Sequence, residues 1–158
     1  MNLQSGITLR SARPQEHAIL TELCMRSKAV WGYDEQFMEL CRAELTLNEA
    51  ACTSPNLRVA ERTGTILGIA EITIVDEECF LEKLFVDPEQ QSSGVGMALF
   101  DWSKNRALAL EQHQLIIEAD PGAVGFYRKM GALPAGETAS QSIPGRTLPR
   151  LVLPLNLP

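Results

Sequence analysis

Two closely spaced glycines, Gly94 and Gly96, lie between a strand-like segment and a helix-like segment. The strand-like segment, 81–86, ends at an Asp-Pro pair, and a helical pattern starts at Met97 after a polar turn. Backbone N–H groups in the first turn of a helix have no partner within the helix, and the helix dipole places a partial positive charge there. The order of these parts therefore predicts a binding site for an anion, most naturally a phosphate group.

Three kinds of phosphate loop compete for this turn. The nucleoside triphosphate loop requires a lysine directly after a glycine, and neither glycine here is followed by one. The dinucleotide fingerprint requires a strand, G-x-G, a helix and a second strand that ends in an acid, which Asp120 supplies. However, Leu99 occupies the third glycine position, and the upstream strands read as a hairpin meander instead of βαβ units. A nucleotide-linked oxidoreductase is therefore kept only as a remote alternative.

The third kind of loop is found in a known family. Residues 91–96, Gln-Ser-Ser-Gly-Val-Gly, match its Q/R-x-x-G-x-G/A motif, and residues 120–131 resemble its second motif, N-x-x-A-x-x-F-Y-x-x-x-G. On these motifs, and on an element order that agrees over nearly the whole chain, the sequence resembles the GCN5-related N-acetyltransferase (GNAT) superfamily. The resemblance implies direct transfer, in a ternary complex, from acetyl-coenzyme A (acetyl-CoA) to a primary amine of a small molecule or peptide. A non-catalytic acyl-CoA-binding or sensor domain is the alternative.

The resemblance also implies which residues bind acetyl-CoA. Backbone amides of the glycine turn are expected to hold the pyrophosphate, and the backbone of β-strand residues before it to hold the acetyl and pantetheine arm. The expected cofactor-binding residues are Phe85, Val86, Gln91, Ser92, Ser93, Gly94, Val95, Gly96, Asp120, Ala123 and Phe126. Two features depart from the family pattern. Serines 92 and 93 stand where Arg or Lys is common, and Asp120 stands where asparagine is usual.

The same resemblance suggests two catalytic residues. Acetyl transfer to an amine requires removal of a proton from the amine and protonation of the departing thiolate. Tyr127 resembles the family tyrosine that lies near the cofactor sulfur, so it is the expected acid. Glu82 resembles a position that holds the general base in some members, with Glu71 as its competitor and a water-mediated route as a further option. The structural alternative for Glu82 is an ion pair with a lysine or arginine. Strand alternation predicts Glu82, Leu84 and Val86 on one face, with Leu81, Lys83 and Phe85 on the other.

Candidate acceptor-binding residues come from two segments that build the acceptor pocket in this fold. They are Lys28, Trp31 and Tyr33, between the first two helices, and Arg146, in a turn near the C-terminal end. Arg146 has a fork of donors that suits an acceptor carboxylate or phosphate. The structural alternatives stay open: the aromatic residues as core anchors, and Arg146 as a surface residue that pairs locally.

The elements that must position these residues follow from sequence periodicity. The fold class is α/β (α+β), with a mixed, mostly antiparallel central sheet flanked by helices, in the order β-α-α-β-β-β-α-β-α-β-β. In the first half of the chain we predict a strand over 7–10, a helix from Pro14 to about Lys28, and a helix capped by Asp34 with Phe37, Leu40 and Cys41 on one face. A hairpin over 57–74 and a strand over 79–86 follow, and then a helix to about Leu110. The last elements are a strand over 115–119 parallel to that of 79–86, a short helix over 123–130 capped by Gly131, and two strands in the tail.

Length and composition set the remaining expectations. The 158 residues are 45% apolar and 22% charged, which is typical of one globular domain, 1–158. A net charge of -6 argues against a nucleic-acid surface and suits a cationic acceptor. Neither a signal peptide nor a membrane span is expected, and the four cysteines lack the spacing of a metal site, so we expect no metal and a cytoplasmic location. A homodimer is compatible with the family.

Overall fold

The computed structural model describes residues 6–90 and 94–156. In this part of the chain seven strands form one sheet in the order β1-β2-β3-β4-β5-β7-β6. The strands are β1 (Thr8–Arg10), β2 (Leu57–Arg62), β3 (Thr65–Val75), β4 (Glu78–Val86), β5 (Gln114–Glu118), β6 (Leu133–Ala139) and β7 (Thr147–Pro154). Every neighbouring pair is antiparallel except β4 and β5, which are parallel. This confirms the predicted fold class and the parallel pair.

Helices cover both faces of the sheet. They are α1 (His17–Ala29), α2 (Glu35–Leu45), α3 (Glu49–Cys52), α4 (Val95–Ala109) and α5 (Val124–Lys129), with short 3₁₀ turns at Pro14–Glu16 and Pro121–Ala123. On one face, α1 and α2 pack on Val59 and Ile69. On the other, α4 packs on Ala60 and Ala70, and α5 joins the apolar cluster around Phe100. No helix of the described residues is long and apolar enough to cross a membrane.

The local signals in the sequence explain where the helices begin and end. Asp34 caps α2 as predicted, because its carboxylate accepts a hydrogen bond from the Phe37 N–H at 2.8 Å. Asn48 caps α3 in the same way, through the Ala51 N–H. Gly131 follows α5 with a φ of +103°, the left-handed conformation that favours glycine after a helix.

Two details of the helical prediction are wrong. Leu40 is not part of the buried face of α2: that face runs through Met38, Cys41 and Leu45, which leaves Leu40 about half exposed. The short helix α3 was not predicted, because a single turn is too brief to show a periodic apolar face. It lies against the Pro14–Glu16 turn and buries Cys52.

The most consequential correction concerns β4. Glu71 of β3 pairs with Lys83 of β4, and the next residue of β3, Ile72, pairs with Leu81. Glu82 is therefore an extra residue that forms a β-bulge. A bulge reverses the alternation of side chains beyond it. Leu81 therefore belongs to the apolar cluster around Phe100, on the helix α4 side, whereas Phe85 packs with the α1 and α2 cluster on the other side. The predicted sharing of one face by Leu81, Lys83 and Phe85 is wrong.

Strands β4 and β5 pair at one position and then separate. Their register contains one pair, Phe80 with Ile116. β4 continues to Val86 and β5 to Glu118, so their facing edges leave backbone N–H and C=O groups without a strand partner. A gap lined by polar backbone consequently opens in the middle of the sheet.

Candidate active site

A cavity of about 190 Å³ fills the gap between β4 and β5. Its sides are formed by residues 81–85 of β4 and by residues 117–120, at the end of β5 and directly after it. Helices α1 and α2 and the segment between β6 and β7 close it from above. Eight of the residues proposed from the sequence line this one cavity: Lys28, Trp31, Glu82, Phe85, Asp120, Ala123, Tyr127 and Arg146. Residues far apart in the chain thus line one cavity.

The first turn of α4 joins the two sequence motifs. Gly94 has a φ of +90°, a conformation that other residues adopt only with strain, and it directly precedes the helix. A Cβ atom on Gly96 would lie 3.4 Å from the Phe126 ring and 3.9 Å from the Val86 side chain. The helix start therefore packs between the end of β4 and α5. The N–H groups of Val95 and Gly96 lie in that first turn, whereas Gln91, Ser92 and Ser93 lie outside the described residues.

An ion pair that sequence analysis did not identify anchors the start of the glycine turn. Asp87 is buried, and its carboxylate accepts hydrogen bonds from Arg26 Nη2 of α1 at 2.7 Å and from the Glu89 N–H at 3.0 Å. Burial alone would raise the pKa of Asp87, but these hydrogen bonds outweigh it and hold the pKa below its ordinary value. In the sequence, the Asp-Pro pair at the end of a strand was the available signal for Asp87. The partner of Asp87, Arg26, lies 61 residues away in the chain.

Tyr127 is a buried phenol at the floor of the cavity. Only 7% of its surface is exposed, and its ring contacts those of Phe100 and Phe126. Burial raises the pKa of Tyr127, and the negative charge of Asp120 raises it further. The hydroxyl group therefore keeps its proton throughout the physiological pH range. Among the described residues it has no hydrogen-bond partner, which leaves it available to a ligand.

The two candidate bases have different surroundings. Glu71 is bound to Lys83, whose Nζ lies 3.1 Å from its carboxylate, and both side chains are nearly buried. Glu82, projected by the bulge, is exposed and accepts one hydrogen bond, from the Thr73 hydroxyl at 3.2 Å. Within the described ranges it has no ion pair, so the structural alternative of a paired Glu82 finds no support. The carboxylate of Glu82 is free to accept a proton, whereas that of Glu71 is committed to Lys83.

Two further carboxylates line the cavity and were missed by sequence analysis. Glu118, at the end of β5, has its pKa raised by burial; the charge of Arg150 opposes this rise, and the charges of Glu82 and Glu44 add to it. Glu44 of α2 accepts a hydrogen bond from the Ser142 hydroxyl at 2.6 Å. A charged residue within the apolar run 115–119 was a usable signal for Glu118.

A cluster of polar side chains lies at one end of the cavity. Its members, called here the Asp120 cluster, are Lys28, Tyr33, Asp120 and Arg146. Asp120 accepts a hydrogen bond from the Tyr33 hydroxyl at 2.6 Å, and its carboxylate lies 3.6 Å from Lys28 Nζ and 3.8 Å from Arg146 Nη2. Arg146 also donates to the Tyr33 hydroxyl at 2.6 Å. Three of the proposed acceptor residues thus share one carboxylate, which the sequence had associated with the cofactor.

Trp31 lies against the 3₁₀ turn before α5, next to the Asp120 cluster. A Cβ atom on Gly122 would be 2.6 Å from Cε3 of the Trp31 ring, a distance that no side chain can accommodate. The glycine therefore allows the loop between α1 and α2 to close onto the segment after β5. Trp31 remains 48% exposed and forms part of the rim of the cavity.

Comparison with known proteins agrees with this architecture. A family model described as an acetyltransferase (GNAT) domain matches residues 19–139. The chain belongs to the GNAT acetyltransferase family. It is therefore an acyltransferase by class, and the oxidoreductase alternative is wrong. A search of curated protein sequences gave no match.

Solved structures share the fold at low sequence identity. A GCN5-related N-acetyltransferase from Rhodopseudomonas palustris is 22% identical, with a TM-score of 0.75, over 94% of this chain and 95% of that one. The PaiA N-acetyltransferase of Thermoplasma acidophilum, solved with coenzyme A, is 15% identical, with a TM-score of 0.72, over 94% and 98%. The ribosomal-protein-S18-alanine N-acetyltransferase of Escherichia coli is 17% identical, with a TM-score of 0.68, over 96% of both chains.

Proposed function

We propose that this protein transfers an acetyl group from acetyl-CoA directly to a primary amine of a small molecule or peptide. The observation that carries the proposal is the cavity between β4 and β5, where the buried neutral phenol of Tyr127 faces the same space as Glu82, a carboxylate that pairs with no cation among the described residues. A phenol that keeps its proton can donate it to a leaving group, and a free carboxylate can accept a proton from an ammonium ion. These two groups would meet both requirements of acetyl transfer.

The residues around the cavity suit acetyl-CoA, the cosubstrate that supplies the acetyl group as an activated thioester. The first turn of α4, from Gly94 to Gly96, offers N–H groups and the positive end of a helix dipole to the pyrophosphate. Gln91, Ser92 and Ser93 complete the proposed loop. The backbone of Phe85 and Val86, on the open edge of β4, would bind the pantetheine arm, with Ala123 and Phe126 beside it. The PaiA structure with coenzyme A supports this assignment by fold.

Proton transfer is assigned to two side chains. Glu82 removes the proton of the acceptor ammonium, directly or through water, and the amine nitrogen then bonds to the acetyl carbon. The bond between carbon and sulfur breaks, and Tyr127 donates its proton to the departing sulfur. The extra proton on the nitrogen leaves as the amide forms and returns, directly or through water, to the Tyr127 oxygen. Glu118, beside Glu82, stabilises the positive charge of the incoming ammonium.

The proposal includes the setting of the enzyme. Residues 1–158 are treated as one acetyltransferase domain that acts on a small amine or peptide, not on nucleic acid or at a membrane, with a homodimer left as an option. The four cysteines, Cys24, Cys41, Cys52 and Cys79, are free and buried, which supports a reducing compartment such as the cytoplasm.

A thiol-release assay over a wide panel of amines tests the proposal. We expect acetyl-CoA to bind, and coenzyme A to be released only when a suitable amine is present. Binding of acetyl-CoA without thiol release from any amine would instead support the non-catalytic acyl-CoA-binding alternative. Calorimetry with acetyl-CoA measures binding independently of turnover, so the two outcomes are distinguishable.

A further inference from the structure

The charges of the Asp120 cluster do not balance. Lys28 and Arg146 are both cations, and Asp120 is the carboxylate they share. All three side chains are largely buried, with 16%, 19% and 12% of their surface exposed, and all three line the cavity. Among these three side chains one positive charge is therefore left over, in a place where water screens it less than at the surface.

The hydrogen-bond donors of the two cations are also mostly unused. A guanidinium group has five N–H donors and an ammonium group has three. Among the described residues, Arg146 makes one side-chain hydrogen bond, to the Tyr33 hydroxyl. Lys28 makes none, because 3.6 Å from its Nζ to Asp120 is beyond hydrogen-bond length. Donors enclosed in this way need acceptors, and the cavity is where these can be placed.

The Arg146 guanidinium is held in a fixed position. Its central carbon lies 5.0 Å from the centres of both the Tyr33 and the Phe37 rings, which are stacked on one another 4.0 Å apart. Arginine stacked on aromatic rings presents its donor fork with little further loss of conformational freedom. Such a fork matches the two oxygens of a carboxylate.

The other end of the cavity has the opposite charge. Glu118 precedes Asp120 by two residues, about 7 Å along an extended chain. Glu44, Glu82 and Glu118 also line a second cavity of about 180 Å³ that continues from the first, and its described lining includes none of Lys28, Asp120 and Arg146. The second cavity is thus acidic in its described lining, and the two cations lie only along the first.

We propose that the acceptor is an amino acid or a similar small molecule that carries a carboxylate as well as the reacting amine. Lys28 and Arg146 bind its carboxylate, and the acidic end receives its ammonium group. A single surplus positive charge matches a carboxylate, whereas a doubly charged phosphate would exceed it. The inference rests on the proposed acetyl transfer and names its substrate class.

The test compares matched acceptors. For each amino acid in a panel, kcat/KM is measured beside the amine that lacks the carboxylate, the aminophosphonate of the same skeleton and a diamine of similar length. We expect the amino acid to exceed the simple amine by about tenfold or more, mainly through a lower KM, as a bidentate charged pair would give. Equal values, or a preference for the diamine or the aminophosphonate, would overturn the inference.

Two substitutions move this preference in opposite directions. Arg146→Gln should reduce the ratio of kcat/KM for acid to amine towards one. Asp120→Asn removes the competing negative charge while it keeps an oxygen for the Gly122 N–H, which donates to Asp120 at 3.1 Å, so the ratio should rise. A rise cannot result from poor folding. Arg128→Gln, at an exposed arginine of α5 that does not line the cavity, is the matched control and should leave the ratio unchanged.

The inference can fail separately from the proposed function. If no amine is acetylated, the proposed function fails, and the carboxylate site is then assessed by thermal shift with N-acetyl amino acids. An increase in Tm for the wild-type protein that is lost in Arg146→Gln and larger in Asp120→Asn supports the carboxylate site. No increase in any of the three proteins would overturn it.

Discussion

Single residues of the cavity owe their chemistry to what surrounds them. Tyr127 keeps its proton because it is buried among aromatic rings, and Glu82 stays free because a bulge turns it away from the Lys83 and Glu71 pair. The roles of base and acid depend on these surroundings and not only on the residue type. A glutamate paired with a buried lysine is a poor base, and an exposed tyrosine is a weaker hydrogen-bond partner for a departing sulfur. Three predictions follow from this division of roles.

Removal of the Tyr127 hydroxyl tests the proposed acid. We expect Tyr127→Phe to lower kcat by about 100-fold, the usual contribution of a positioned acid, with little change in the KM for acetyl-CoA. The phenylalanine preserves the packing against Phe100 and Phe126, so Tm should change little. A kcat within about twofold of the wild-type value, a difference too small for loss of a positioned acid, would exclude the acid role.

The pH dependence of kcat tests the protonation state of Tyr127. Because burial raises its pKa, the proton-donating form persists above the ordinary tyrosine value of about 10. The sign follows directly: an acid with a raised pKa is lost only at higher pH. We expect kcat to show no alkaline decline up to about pH 10, measured by thiol release with a saturating amine. A decline centred near pH 8 would assign the proton donor to another group.

Neutralisation of Glu82 tests the proposed base. Glu82→Gln should lower kcat by about 100-fold at neutral pH. The decrease in kcat should be smaller at high pH, because the amine is already deprotonated there. Glu77→Gln, at an exposed turn residue after β3, is the control and should behave as wild type. If Glu82→Gln is fully active, removal of the amine proton belongs to water or to Glu118.

At the scale of secondary-structure elements, helix α1 contacts the site at two points. Arg26 binds Asp87 at the entrance to the glycine turn, and Lys28, two residues further along the helix, belongs to the Asp120 cluster. The two contacts lie within the last turn of the helix, where cations are favoured by the helix dipole. The end of α1 therefore connects the cofactor side of the cavity to the acceptor side.

Loss of the Arg26 guanidinium tests this connection. Arg26→Gln leaves the buried Asp87 carboxylate without its cation and loosens the turn that follows it. We expect the KM for acetyl-CoA to rise about tenfold, equal to about 1.4 kcal/mol, with kcat less affected. Arg42→Gln, which removes a solvent-exposed arginine paired with Glu22 on the other side of α1, is the matched control. An unchanged KM in Arg26→Gln would show that the ion pair does not position the turn.

The whole molecule shows what the sequence could and could not predict. The order of the elements along the chain was predictable, because it depends on local residue types and periodicity. The glycine turn and the Phe126-Tyr127 segment were identified by their resemblance to family motifs. The bulge at Glu82 was not, because it arises from the register of β4 against β3. The Arg26 and Asp87 pair, and the meeting of Lys28 with Asp120 and Arg146, depend on contacts between distant segments. No periodic pattern encodes such contacts.

The single backbone pairing between β4 and β5 has a mechanical consequence. Strands β1 to β4 and strands β5 to β7 are two half-sheets, and hydrogen bonding between them is interrupted where the substrates are proposed to bind. A ligand with amide groups in this gap would form hydrogen bonds to both half-sheets, where the strands do not pair with each other. We expect saturating acetyl-CoA to slow amide hydrogen exchange by about tenfold or more in 83–86 and 117–120, with less effect in β1 and β2. The protein would then be weakest along the path of its own substrate, and part of its rigidity would be supplied at each turnover by the molecule it consumes.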